Sequence, residues 1–569
     1  MLHPGNSRAS ERTALSLRLW PCAAVGLTLL AGCGGGGGGE AAPSPGPVPP
    51  PTASDVPESD EAAAYFLTQS TFGPTEAEIA HLRTIGYTAW LEEQRDAEVS
   101  TQRPELEGMV AAGATVFQNQ RMERWWHNAL REPDQLRQRV AWALSQVLVV
   151  SDRPSALAND AIGLAEYYDM LSRHAFGNYR ELLGEVARSP QMGLYLSHIK
   201  NEKPDELLGI RPDENFSREI MQLFSIGLEE LNQDGTPRLD ENGDPIPTYG
   251  QPEIEGLAHA LTGWNYSGAS SWEWSDPNYL PMENWSAYHD FGEKQIVGGA
   301  VLPAGQDGVA DLEAALDVLF NHPNVGPFLG RQLIQRLVMS NPSPAYVARV
   351  AAAFADNGEG VRGDLWATVR AVIMDDEARE LHDATDEAGK LREPLLRLSA
   401  MWRAFGAYSG SGDYRVWNPE EPFGQGPLRA PSVFNFYRPD FELPGAINDG
   451  IHAPEFQIST ESQVTLTTNE LRRYVFDAWA QNPYADEHTI LLDLSEEIAL
   501  ANDPKALVDR LDTLLMFGTM SPEMRAVIEA AVAFTDYDYG ALTGKPAGLQ
   551  RVQEAIYLIV TSPEGAIQF

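Results

Sequence analysis

From residue 62 onward apolar side chains recur every three to four positions, so the body of the chain reads as a succession of amphipathic helices. The pattern is sharpest over 213–231, where Phe216, Ile220, Leu223 and Phe224 form one apolar stripe. Asp213, after Pro212, can accept hydrogen bonds from the first turn, and Glu214 adds negative charge where the helix dipole favours it. Gly227 supplies a left-handed residue beyond the end, with Leu228 placed to pack back on Leu223. Glu214, Arg218 and Gln222 run along the far side, whereas Asn215 and Glu219 fall on the border of the stripe. A half-buried carboxylate at Glu219 needs a partner, because an unpaired buried charge costs on the order of several kcal/mol. An arginine or His289 is the leading candidate.

The same periodicity predicts helices over 118–130, 133–150, 160–174, 179–189, 253–262, 309–320, 325–339, 344–355, 364–374 and 394–405. Thr75 with Glu78 makes a capping box that opens 76–85; Gly86 stops it, and 87–96 follows as a second short helix. Ser343 before Pro344 marks another start, Ser521-Pro522-Glu523 another, and 545–560 reads as the last helix. Between 228 and 249 two short extended runs flank Asn242-Gly243, which predicts a β-hairpin with a type I′ turn. A calcium loop is the sharper alternative there, since Glu230, Asn232, Asp234, Gly235 and Glu241 occupy EF-hand-like positions, but Pro237 interrupts it. Residues 264–299 are irregular and rich in aromatics, including Trp272 and Trp274. Loops of this length are seldom idle, and aromatic faces can stack on sugar rings or cover the core as a lid. The fold class expected is mainly α, a multi-helical globular body with a small β-hairpin and long irregular loops.

The amino terminus changes the picture of where the chain works. Arg8, Arg12 and Arg18 precede an apolar run over 19–30 that is short for a membrane span and shaped like a secretory signal. It ends in Leu30-Ala31-Gly32-Cys33, which resembles the lipobox of bacterial lipoproteins, in which the signal is cut before a cysteine that carries the lipid. The resemblance implies a lipid on Cys33 and, with Gly34 rather than aspartate next, an outer-membrane address. Residues 34–60 are Gly-rich and then Pro-rich and read as a tether that reaches roughly 80 Å when extended. The expected organisation is therefore a signal peptide over 1–32, a tether over 33–61 and a helical body over 62–569. The only other cysteine, Cys22, lies in the signal, so the mature body is expected to have no disulfide.

A formal net charge of −40 repels nucleic acid and argues against a phosphate-tracking groove. The chain has no HExxH, CxxCH, GxSxG or Walker motif, which disfavours familiar zinc proteases, c-type cytochromes, α/β-hydrolases and P-loop enzymes.

Five ordered segments carry a resemblance that covers nearly the whole body. They are Phe72-Gly73-Pro74-Thr75, the run from Asp213 to Glu219, Leu261-Thr262-Gly263-Trp264, the run from His289 to Lys294, and the run from Arg429 to Tyr437. Together they are similar to the bacterial family called domain of unknown function 1800. The resemblance implies a secreted or surface, mainly helical protein, often encoded beside a relative of the sulfatase and alkaline phosphatase superfamily, and it implies no established reaction. His259 stands where relatives usually carry arginine.

The candidate chemistry is dispersed. Glu219, His289 and Asp290 are the candidate catalytic set, since His and carboxylate side chains act as base and orienter. Arg218, Lys294, Arg429, Tyr437, Arg438, Trp272 and Trp274 are the candidate binding residues, the arginines as clamps for an anionic group. His198, close upstream of the 213–231 helix, is expected to support it. No residue is singled out as a metal ligand, although His289 and Asp290 are also types that bind metals, and the metal content and cofactor stay open. Two functions stay open: a surface protein that binds a partner or glycan and works with a sulfatase-like protein, and an extracellular hydrolase acting on a polymer. Convergence of Glu219, His289 and Asp290 in one water-accessible pocket would favour the second.

Overall fold

Capping chemistry at the chain's first landmark sets the pattern for the whole fold. In the computed structural model, which describes residues 55–274, 276–379, 389–445, 450–480, 482–534 and 545–568, Thr75 and Glu78 close the expected capping box over helix Glu76–Asp96. Gly86, at φ 82° and ψ 169°, breaks that helix where the two shorter ones were expected to meet. Ser343, Asp364 and Asp160 cap their helices through side chains that accept backbone N–H groups. The observed helices Gln118–Arg131, Ala161–His174, Tyr179–Arg188, Gln251–Ala260, Pro344–Ala355 and Pro394–Ala404 match expectation to within two residues at each end. The helix expected over 133–150 is shorter, Gln135–Ser145. The expected signal, the expected lipobox with Cys33 and the expected tether as far as residue 54 lie outside the described residues.

Helices dominate, and the described sheets are three antiparallel two-stranded ones. Two of them shape the aromatic segment, through Trp264 opposite Asn284 and Lys294 opposite Leu302. The third pairs Lys390 with Gln568 and so pins the carboxyl-terminal end to the middle of the body. The core is one continuous apolar cluster with an aromatic spine. Phe72, Trp125, Trp126, Trp402 and Tyr474 meet in turn at ring separations of 4.8–5.4 Å, mostly edge to face. None of the helices among the described residues is long and apolar enough to cross a membrane.

Three local expectations are corrected. The helix expected to start at Asp213 and end just before Gly227 is only Asn215–Gln222. Asp213 does bind the Asn215 N–H at 2.8 Å, and Gly227 is left-handed at φ 72°, but the chain unwinds first. The Phe224 N–H bonds the Glu219 carbonyl, and both Ile226 and Gly227 donate to the Met221 carbonyl, so the last turns are wide ones. Leu228 is consequently 56% exposed. The segment after it pairs through isolated bridges, Glu229 with Pro247 and Leu239 with Pro245. Its turn has a positive φ at Gly243 alone, with Asp240 capping the Asn242 and Asp244 N–H groups, so it is a type I turn closed by a left-handed glycine and not a type I′ turn. The calcium-loop positions are committed internally: Asp234 accepts from Thr236, and Glu230 pairs with Arg238.

Candidate functional site

Of the residues flagged from sequence, His289, Asp290 and Lys294 gather around the carboxyl end of helix Gln251–Ala260, where the landmark Leu261-Thr262-Gly263-Trp264 turns under the landmark that starts at His289. Gly263 makes the approach possible. It sits at φ +87°, and a Cβ there would stand 3.0 Å from the Trp285 carbonyl and 3.1 Å from His289 Cβ.

His289 is wholly buried, and its two nitrogens face different partners. Nδ1 lies 3.0 Å from the Thr262 carbonyl and Nε2 lies 3.0 Å from Asp311 Oδ2. A carbonyl only accepts, and Thr262 Oγ1, at 3.3 Å from Nδ1, spends its own hydrogen on the His259 carbonyl, so Nδ1 carries a hydrogen. Asp311 is ionised: burial pushes its carboxyl up, but His289, Lys294 at 2.6 Å and Gln306 at 2.8 Å hold it below the usual carboxylate range. It also sits in the first turn of helix Gly308–Asn321, where the dipole favours negative charge. Nε2 therefore carries a hydrogen too, and the ring is an imidazolium in a buried Lys294–Asp311–His289 cluster. A histidine with no free lone pair is not a base. The Lys294 ammonium, also bonded to the Gly292 carbonyl, is spent in the same cluster and is not a ligand clamp.

Asp290 points away from its neighbour. Its Oδ2 lies 2.5 Å from His259 Nδ1, its Oδ1 accepts the Gly292 N–H, and its backbone N–H donates to Thr262 Oγ1. Burial raises the Asp290 carboxyl, and the His259 and Gly292 contacts more than offset this and hold it below its ordinary value. His259, set apart in the sequence as a departure from the family pattern, thus does pair with a carboxylate, though not with one on the helix. Its Nε2 has no hydrogen-bond partner among the described residues.

Glu219 stands apart from both. It is buried to 5% exposure; among the described residues it has no ion pair, and its Oε2 has no hydrogen-bond partner. The expected partner, an arginine or His289, is therefore absent: Arg218 turns to Glu214 at 3.0 Å, and His289 to Asp311. Burial raises the Glu219 carboxyl above its usual range, with Arg218 pulling weakly down. Tyr195 and Tyr249 are pushed up to about 12 by burial, with the charge of Glu219 adding to the effect. His198 supports the helix as expected, stacked on Phe216 at 4.6 Å and 22°, and burial pushes it down to about 4.

The remaining candidates, Trp274 apart, are held by partners or by burial. Arg429 binds Asp152 and Glu420, each at 2.9 Å, and Arg438 binds Asp440 at 3.2 Å on the surface. Tyr437 is buried, and its hydroxyl is pushed far up by desolvation. Trp272 is no sugar platform: it is 4% exposed, stacked on Tyr288 at 4.0 Å and 9°, and its indole N–H donates to Glu202 at 2.7 Å. Trp274, two residues on, is 78% exposed. Among the described residues no group of three or more His, Cys, Asp and Glu is placed to hold a metal. Asp311, the residue that decides the state of His289, was missed in the sequence. An acidic residue in the first turn of a helix was its only local sign.

The arrangement defines a helical body in which most of the polar landmark residues are spent on structural pairs, with Glu219 the exception. The family model described as "Protein of unknown function (DUF1800)" matches residues 65–566, and the chain belongs to that family. A comparison with curated proteins and one with solved structures each gave no match.

Proposed function

We propose that this chain is a lipid-anchored body of the cell envelope, held by Cys33, that binds a surface glycan or partner protein through the face carrying Trp274. It works beside a secreted sulfatase-like protein. The observation that supports binding over catalysis is the separation of the candidate catalytic groups. His289 has both nitrogens engaged in a buried ion cluster, Asp290 is bound to His259, and Glu219 lies apart from either. Trp274 is free to meet a sugar ring, and the loop that presents it is braced from beneath by the Trp272–Tyr288 stack. Retention of the purified protein on insoluble polysaccharides tests this. Trp274→Ala is expected to abolish retention without changing the melting temperature, and retention unchanged by the substitution sinks the role given to that face. For the anchor, Cys33→Ser is expected to move the protein out of the membrane fraction; its persistence there refutes lipidation.

A hydrolase acting on an extracellular polymer is the second reading, and one feature favours it. Asp290 orients His259 through Nδ1 and leaves Nε2 able to take a proton from water. On that reading His259→Asn abolishes release of soluble fragments from the polymer while His289→Gln acts only through stability. Equal activity of the His259→Asn protein dismisses it.

A further inference from the structure

The most exposed large apolar side chains of the described body include two that are adjacent: Leu207 at 97% and Leu208 at 74%. They stand at the tip of a turn that is built to hold them out. Asp205 Oδ1 accepts the N–H groups of Leu207 and Leu208 at 2.9 and 3.1 Å, and Asp205 and Ile210 exchange both backbone hydrogen bonds. Gly209 closes the turn at φ +70°. The base of the turn is fastened to the aromatic segment, with the Lys203 N–H on the Tyr288 carbonyl at 2.8 Å and Glu202 under the Trp272 indole. The leucines are thus fixed in water by their own backbone bonding and cannot fold back onto the body.

A protruding aliphatic tip is the wrong shape and chemistry for sugar, which needs flat aromatic faces and hydrogen-bond donors. It suits a medium that deforms around it. We propose that Leu207 and Leu208 insert into the apolar boundary of a lipid bilayer, giving the protein a second contact with the membrane besides the lipid on Cys33. This rests on the anchored reading for its geometry: a tether of roughly 80 Å exceeds a body about 60 Å across, so the anchor alone leaves every face able to reach the bilayer. The tip selects which face does. The exposed Lys203 and Arg211 flank it together with the exposed Glu206 and the half-buried Asp205, so the tip offers mixed charge, which suits a zwitterionic headgroup layer and not an anionic one.

The test compares two full-length chains that both carry Cys33→Ser, one of them also carrying Leu207→Ser and Leu208→Ser, by flotation with phosphatidylcholine vesicles. Both keep whatever the leader contributes, and lipidation plays no part in either, so failure of the anchor and failure of the tip are read separately. The chain with the leucines is expected to partition at least tenfold more strongly, with the two melting temperatures equal because both side chains are largely exposed. Equal partition, or none by either chain, overturns the proposal. So does vesicle binding that is indifferent to the leucines while retention by a purified envelope protein depends on them, which assigns the tip to a protein pocket.

Discussion

Replacing Asp311 by asparagine isolates the buried ion cluster beneath the candidate site. The change keeps the shape of the side chain and removes the negative charge that Lys294 and the His289 imidazolium share at 2.6 and 3.0 Å. All three side chains are buried, so water does not replace the lost partner. Removing one member of such a cluster costs about 3–5 kcal/mol, most of it the penalty of the charges left behind. Unfolding of a body of some 500 residues carries an entropy of about 2 cal/mol/K per residue, so calorimetry should record a fall of about 3–5 °C in melting temperature. The pH dependence supplies a second readout. Because the folded Asp311 carboxyl is held below its usual value, its stabilising contribution is present above the carboxylate range and lost as pH falls through it. The wild-type protein should therefore lose its advantage over Asp311→Asn progressively below about pH 4. A shift of less than 1 °C at pH 7 would refute the cluster as described.

Glu219→Gln should behave in the opposite sense. The folded carboxyl is raised, so native protein keeps its proton longer than the unfolded chain, and stability falls as pH rises above the ordinary carboxylate value; the glutamine protein should be the more heat-stable of the two at pH 8, and a less stable variant would reveal a partner for Glu219. Gly73→Ala should cost about 2–4 kcal/mol, because a Cβ at φ +131° would stand 2.3 Å from Ala400 Cα; a soluble variant with wild-type melting contradicts this close approach. Trp272→Ala should destabilise by about 3–5 kcal/mol, whereas Trp274→Ala should leave the melting temperature unchanged, and equal melting of the two variants would show that the two indoles have the same surroundings.

What could be read along the chain was whatever its neighbours determine. Thr75 with Glu78 and Ser343 before Pro344 act within one or two turns and stand where the pattern placed them, and Gly227 is left-handed as expected although the helix ends before it. Partners across the fold are another matter. His289 meets Asp311 twenty-two residues away, and Asp290 meets His259 thirty-one away. With 81 acidic side chains in the chain, nothing local singles out which carboxylate a given cation will find. The border position of Glu219 correctly announced burial, but burial did not bring the partner that its cost implied. The aromatic segment shows the same division: its composition marked it as unusual, and only packing distinguishes Trp272, covered by Tyr288, from Trp274, open to solvent. The family landmarks likewise drew attention as candidate chemistry, and each has a structural task. Gly73 admits Ala400, Gly263 admits the Trp285 carbonyl, Phe216 stacks on His198, and Arg429 ties Asp152 to Glu420.

That the polar landmarks hold the fold, with His289 as their buried cation, is tested most directly on the ring itself. Protein labelled with nitrogen-15 in histidine alone, and compared with His289→Gln to assign the signal, reports the hydrogen on each ring nitrogen at pH 7. Hydrogens on both Nδ1 and Nε2, exchanging slowly with water, are the expected result. A His289 ring with one bare nitrogen contradicts the account and restores it as a candidate base.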